Sequence, residues 1–308
     1  MAGYSRRTLM EAALCGAATC SLPRFAFAQA TRPTLKVTHL GPETVLISGA
    51  GANVVAAADD KGVVMVDGGP AEHADAVIEA VRGAFDGRPI RTLFNTHWHP
   101  AQTGSNLSLA RAGTRIVAQT NTRLWLGTDV HRPWENFVHR ALPAEARPKV
   151  TFYDNGNAVQ LKGKPLRYGY LLQAHTDGDC YVFFPDANVL ACGGVIAGDR
   201  WPLIDWWTGG WFGGLVEGVE TLLQIANEQT RIVPAEGPVL TRAELKTQRD
   251  MYAKLFLRFR DTLLFKGLSP AEAVAARPTA EFKPQWPNRD QFVTFAFQSL
   301  WGFYAPDV

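Results

Sequence analysis

The chain of 308 residues is 46% hydrophobic and 19% charged, with 31 Lys+Arg against 29 Asp+Glu. That mixture excludes a disordered chain, a collagen and a coiled coil, and a formal net charge of +2 supplies no basic footprint for nucleic acid. Four cysteines are too few for a disulfide framework.

Residues 1–28 read as an address, not as part of the fold. Ser5-Arg6-Arg7-Thr8-Leu9-Met10 is followed by a moderately apolar run from Ala12 to Leu22 and by Ala26-Phe27-Ala28. This is the order of a cationic region, a short apolar region and a small-x-small cleavage site, and the paired arginines resemble a twin-arginine signal. The apolar run is too short to span a bilayer, which needs about 20 residues. The expectation is a periplasmic protein without stable membrane insertion, cut after Ala28 to leave 308 − 28 = 280 residues. Cleavage removes Arg6, Arg7, Arg24 and Glu11, so the mature chain has 31 − 3 = 28 basic and 29 − 1 = 28 acidic residues. It also removes Cys15 and Cys20. Cys180 and Cys192 then stay as two buried thiols or pair across a hairpin; their positions on adjacent strands are not directly opposite.

From Thr34 the pattern is β. Runs at Thr34–Leu40, Thr44–Ser48, Ala52–Ala57 and Gly62–Asp67 are separated by Gly-Pro, Gly-Ala-Gly and Asp-Asp-Lys-Gly punctuation. Ala71–Ala84 has helical spacing, with Ala74, Val77, Ile78 and Val81 on one stripe. Arg91–Asn95 is a strand that runs straight into Thr96-His97-Trp98-His99. A helix at Asn106–Ala112, a strand at Arg115–Ala118 and an irregular helical stretch at Gln119–Gly127 follow. The second half repeats the theme, with strands at Val150–Tyr153, Ala158–Leu161, Leu166–Gln173, Cys180–Phe184 and Asn188–Ala191. A helix at Gly214–Gln229 then leads into the strand Arg231–Pro234. Two passes of strands followed by helices predict a single domain, 29–308, built as a layered α/β sandwich. Its helical C-terminal extension, about 242–308, holds Arg242–Lys266, a helix capped by Ser269, and Phe292–Tyr304. The aromatic residues of the last helix are expected to pack into the core.

His97 and His99 stand two apart at a strand end, where a turn lets both imidazoles face one side. His175, in Ala174-His175-Thr176-Asp177-Gly178-Asp179, is placed at the end of another strand. Three neutral imidazoles can hold Zn²⁺ at about 2.0–2.1 Å and leave a fourth position to water. These motifs, with Gly51-Ala52-Asn53, Val66-Asp67-Gly68-Gly69, Pro202-Leu203-Ile204-Asp205, Gly209-Gly210 and Pro234-Ala235-Glu236-Gly237-Pro238, resemble the metallo-β-lactamase superfamily over nearly the whole mature chain. The resemblance implies an αββα four-layer sandwich with the metal centre at one edge of the sheets.

The same resemblance exposes departures. In the family's His-x-His-x-Asp-His motif, His97 and His99 match, while Ala101 and Gln102 stand for the Asp and the last His. Gly194 falls where the bridging Asp is expected, and Glu236 replaces the histidine of Pro-Gly-His-Gly. The resemblance therefore implies one zinc at His97, His99 and His175 and a lost second site, with Gln102 as a possible additional ligand. Glu236 is the candidate fourth ligand or general base, and Asp199 is a substitute carboxylate; a plain loop role is open for both. The expected activity is hydrolysis of a small ester, thioester, lactone or amide by metal-bound hydroxide. The alternative is a non-catalytic periplasmic ligand-binding or accessory protein that kept the fold. Asp67 is expected to brace the site through hydrogen bonds. Trp98, Trp201, Trp206, Trp207 and Trp211 either wall a pocket for a hydrophobic or aromatic small molecule or pack under the C-terminal helices. His39, His73, His131 and His139 read as bystanders, the last two in a Pro-rich loop near the entrance. No Gly-x-Gly-x-x-Gly, Walker or Gly-x-Ser-x-Gly motif supports a nucleotide cofactor or serine hydrolysis.

Overall fold

Short runs of Val, Ile and Ala, each cut by a turn, lay down the first sheet of the computed structural model. The model describes residues 33–304 apart from 60, 155, 162, 163 and 284. Within the unit Arg32–Val308, seven strands line up in chain order. They are β1 (Lys36–Gly41), β2 (Thr44–Ser48), β3 (Val54–Asp59), β4 (Gly62–Val66), β5 (Ile90–Asn95), β6 (Arg115–Gln119) and β7 (Val150–Phe152). β1 to β4 are antiparallel; from β4 onward the pairings are parallel. Parallel neighbours need crossover elements, which α1 (Ala74–Ala84), α2 (Pro100–Thr103), α3 (Asn106–Arg111) and α4 (Thr120–Trp125) supply. The export segment expected at 1–28 lies outside the described residues.

The second sheet has the order β12-β11-β10-β9-β8, from β8 (Asn157–Leu161), β9 (Lys164–Tyr170), β10 (Cys180–Phe184), β11 (Val189–Ala191) and β12 (Arg231–Val233). Alternation along the strands assigns the layers. Leu46, Val55, Val66 and Phe94 turn inward to meet Leu166, Tyr168, Val182 and Phe184 of the second sheet. Their neighbours Ile47, Val54, Met65 and Leu93 turn outward onto Val77 and Val81 of α1. Strands apolar on both faces require cover on both sides. The outer face of the second sheet, with Phe183, Leu190 and Ile232, is covered by α5 (Phe212–Ile225), α6 (Arg242–Arg258) and α8 (Arg289–Tyr304). Helices, sheet, sheet and helices make the αββα sandwich that the sequence implied.

The C-terminal helices carry clear start signals. Thr241 and Ser269 each form a capping box, with Glu244 and Glu272, at the heads of α6 and α7 (Pro270–Ala275). Phe292, Phe295 and Phe297 of α8 are buried, as expected for core aromatics. Two expectations are corrected. The helix drawn from Arg242 to Lys266 is α-helical only to Arg258 and passes into a π-helical turn, Phe259–Leu264, which directs Phe259, Leu263 and Leu264 into the core. The strand drawn through Gln173 stops at Tyr170, so His175 does not end a strand. It lies in a loop stabilised by local polar bonds, where the Asp179 carboxylate accepts from Thr176 N at 2.7 Å and from Thr176 Oγ1 at 3.0 Å. Cys180 and Cys192 are buried free thiols. Among the described residues no helix is long and apolar enough to cross a membrane.

Candidate metal centre

β5 delivers its last residue, Asn95, to the top of the first sheet, and the chain turns there through Thr96, His97, Trp98 and His99 before α2 begins. The loop between β9 and β10 brings His175 to the same point. The three side chains are buried, and one nitrogen of each lies within 4.8 Å of the others. Ring centroids are 4.6–4.8 Å apart and every ring pair is edge-on, an arrangement for converging lone pairs and not for stacking.

Each imidazole is oriented by a bond on its other nitrogen. Thr96 Oγ1 donates to Asp67 Oδ2 at 2.8 Å and stands 3.0 Å from His97 Nδ1, so it accepts the Nδ1 proton and leaves Nε2 for the centre. Asp67 Oδ1 also accepts from Thr96 N at 2.8 Å, the bracing role expected for this residue. His99 Nε2 faces Asp205 Oδ2 at 2.8 Å, which leaves Nδ1. His175 Nδ1 faces Asp179 Oδ1 at 3.3 Å, which leaves Nε2. A carboxylate behind each ligating imidazole fixes tautomer and ring angle and raises basicity. Burial, followed by the neighbouring imidazoles and Arg132, holds His97 and His99 well below the ordinary value of 6.5. Neutral imidazoles are the form a metal needs. The donor set therefore fits one divalent ion of borderline softness.

The positions of the family's second metal present a different chemistry. Ala101 offers no donor. Gln102 is buried and its side chain reaches His97, so it does face the centre. At Gly194 a Cβ would fall 2.6 Å from His175 Cε1. No side chain fits there, let alone a bridging carboxylate. Glu236 lines the cavity, but its Oε2 takes a hydrogen bond from Arg200 Nη1 at 2.8 Å. Asp199 accepts from Nε of the same arginine at 3.0 Å and is not among the lining residues described. Asn53 holds this loop down, since its Nδ2 donates to Pro234 O at 3.0 Å and to Gly237 O at 2.9 Å.

The cavity above the histidines has a volume of about 700 Å³. One wall comes from the loop between α4 and β7, pinched by paired backbone bonds between Val130 and His139. From it the buried Arg132 reaches down. Its Nη1 donates to Asp205 Oδ2 at 3.3 Å, its Nε donates to Glu135 Oε2 at 2.8 Å, and Nη2 bonds Glu135 Oε1. The rings of Trp98 and Trp134 flank the guanidinium at 5.4 and 5.6 Å. His139 completes the set, with Nε2 at 2.7 Å from Glu135 Oε2. His139 lines the cavity and is no bystander, which corrects the sequence expectation. Arg132, Trp134 and Glu135 were missed altogether; the entrance-bordering loop was the available signal. The tryptophans divide. Trp201 lines the cavity while stacked on Phe292 at 4.6 Å. Trp206, Trp207 and Trp211 pack on one another or on Phe303, and Trp98 lies buried with Nε1 bonded to Thr208 Oγ1 at 3.0 Å.

Comparison with known proteins agrees with this geometry. A family model described as the metallo-beta-lactamase superfamily matches residues 48–253. No curated protein matches the sequence. Among solved structures, a metallo-beta-lactamase from Pontibacter korlensis is similar at 16% identity and a TM-score of 0.57, over 71% of this chain and 99% of that one. The DIM-1 metallo-beta-lactamase aligns at 17% identity and a TM-score of 0.57, over 71% and 97%. A stereoselective inverting sec-alkylsulfatase from Pseudomonas sp. gives a TM-score of 0.66 at 16% identity, over 89% of this chain and 51% of that one.

Proposed function

The chain belongs to the metallo-beta-lactamase superfamily, and from that premise we propose that it is a hydrolase of a small ester, thioester, lactone or amide, dependent on one zinc ion at His97, His99 and His175. The observation that carries the proposal is the convergence of three buried imidazoles, each with a polar partner on its outer nitrogen. A zinc ion bound there supplies Lewis acidity and brings the pKa of a coordinated water toward about 7. The protein's own contribution is to keep His97 and His99 neutral, to present the side chain of Gln102, and to hold a carboxylate, Glu236, on the cavity wall. Glu236 bonds Arg200 through Oε2 only, so Oε1 remains to accept a proton from a water or substrate atom. The neighbours' printed activities, a β-lactamase and an alkylsulfatase, support the reaction class and do not choose a substrate for this chain. Export to the periplasm by the twin-arginine route belongs to the same proposal and rests on residues 1–28 alone.

The Arg200–Glu236 pair and the blocked position 194 also favour a second reading, a binding protein that kept the fold and lost turnover. Metal analysis and a chromogenic ester and lactone panel separate the two. The hydrolase reading expects about one equivalent of zinc, turnover that follows metal content, and a loss of about 100-fold in kcat for Glu236→Gln with zinc retained. Protein that binds no transition metal, or binds zinc without turning over any member of the panel, contradicts it.

A further inference from the structure

The fixed charges around the cavity can be followed pair by pair. Its lining includes two arginines and no lysine. Arg132 is committed to Glu135 and Asp205, and Arg200 to Glu236 and Asp199. Each guanidinium is thus already met by two carboxylates. Glu72, on the turn Ala71–His73, also lines the cavity and has no ion pair among the described residues. Three lining carboxylates, Glu72, Glu135 and Glu236, therefore face two guanidinium groups that Asp205 and Asp199 also neutralise, with Asp67 and Asp179 behind His97 and His175, so the wall around the metal position is net acidic.

The consequence concerns the substrate. Among the described residues, an anionic group placed away from the metal meets no lining cation without a carboxylate partner; to gain one it must displace a carboxylate from Arg132 or Arg200 while facing Glu72. An uncharged group meets neither penalty, and Trp134, Phe137, Ile196, Trp201 and Leu203 offer it apolar wall. Phe137 is 56% exposed, at the mouth, with its ring 4.7 Å from that of His139. Wall charge of one sign disfavours ligands of the same sign. We infer that this cavity selects uncharged substrates with an apolar chain and rejects those that carry a carboxylate, sulfate or phosphate outside the reacting group. The inference rests on the metal-dependent reading above.

The test uses two isosteric probes on the zinc-loaded full chain, the monohydroxamate of succinic acid and that of its monoamide, titrated by calorimetry. Both present the same metal-binding head and differ at the tail in charge alone. The amide is expected to bind about tenfold more tightly than the acid at low ionic strength, with the gap narrowing toward twofold at roughly 0.5 M salt. In Glu72→Gln the low-salt ratio is expected to fall by about two- to threefold. Equal affinities, or tighter binding of the acid, overturn the charge inference and leave the metal reading standing. If neither probe binds, or if zinc does not load, the metal reading fails and the inference falls with it.

Discussion

Asp205 shows how much a single side chain decides here. It is fully buried, accepts from Arg132, caps the turn Trp206–Thr208 through Thr208 N at 3.2 Å, and faces His99 Nε2 at 2.8 Å. Asp205→Asn keeps the volume but removes the negative charge and one of the two acceptor oxygens that serve His99, Arg132 and Thr208. Zinc affinity, measured by competition with a chelator, should weaken by about 10- to 100-fold, whereas His97→Ala should abolish stoichiometric binding. The histidines also predict a pH dependence for the metal-free protein. Burial holds His97 and His99 well below 6.5 in the fold, while in the unfolded chain they titrate near that value. Between the two values the unfolded state binds more protons, so stability is intact above 6.5 and is lost as pH falls through and below it. Burial raises Asp67 to about 7 and Asp177 to about 6, which acts in the opposite direction, so the check is a difference: between pH 7.5 and 5 the His99→Gln apoprotein should lose less Tm than the unsubstituted apoprotein. At Gly194 even a methyl group would collide with the His175 ring. Gly194→Ala should cost zinc affinity through displacement of that ring, and Gly194→Asp should not create a second metal site; metal stoichiometry checks both.

At the scale of elements, the loop between α4 and β7 is anchored at its ends by Leu126 and Ala146 and in its middle by Trp134, which packs on Phe295 at 4.4 Å. Val130 is buried, but Phe137 and Val138 are exposed. Arg132 ties this loop to Asp205 beneath it, through a side chain only 8% exposed. Removing one member of a buried ion pair leaves its partners uncompensated and costs about 3–5 kcal/mol. Arg132→Met should destabilise the fold by an amount near the lower end of that range, because Glu135 is partly exposed and keeps His139. Limited proteolysis should then cut first within 128–142. The helix α8 carries the opposite kind of anchor. Phe292 stacks on Trp201, and both are buried. Phe292→Ala should cost about 3–5 kcal/mol in denaturant unfolding and loosen the Trp201 wall of the cavity.

For the whole molecule, periodicity and punctuation placed most strands and helices and pointed to a sandwich, while the four-layer order came from the family resemblance, with which strands apolar on both faces agree. The pairing of His97 and His99 was legible because both follow a buried strand directly. His175 was expected beside them and does converge there, but from a loop and not from a strand end, since the Asp179 bonds that shape this loop are side-chain bonds with no periodic trace. Arg132 and Glu135 were not legible, because their importance arises only when a loop of irregular sequence folds over Asp205, 73 positions away. Asn53 spans a greater distance: its amide joins the first hairpin to carbonyls 181 and 184 positions further on. During synthesis, then, the loop that carries Glu236 can be tied down against Asn53 only after Gly237 has emerged, later than all three histidines and Asp205.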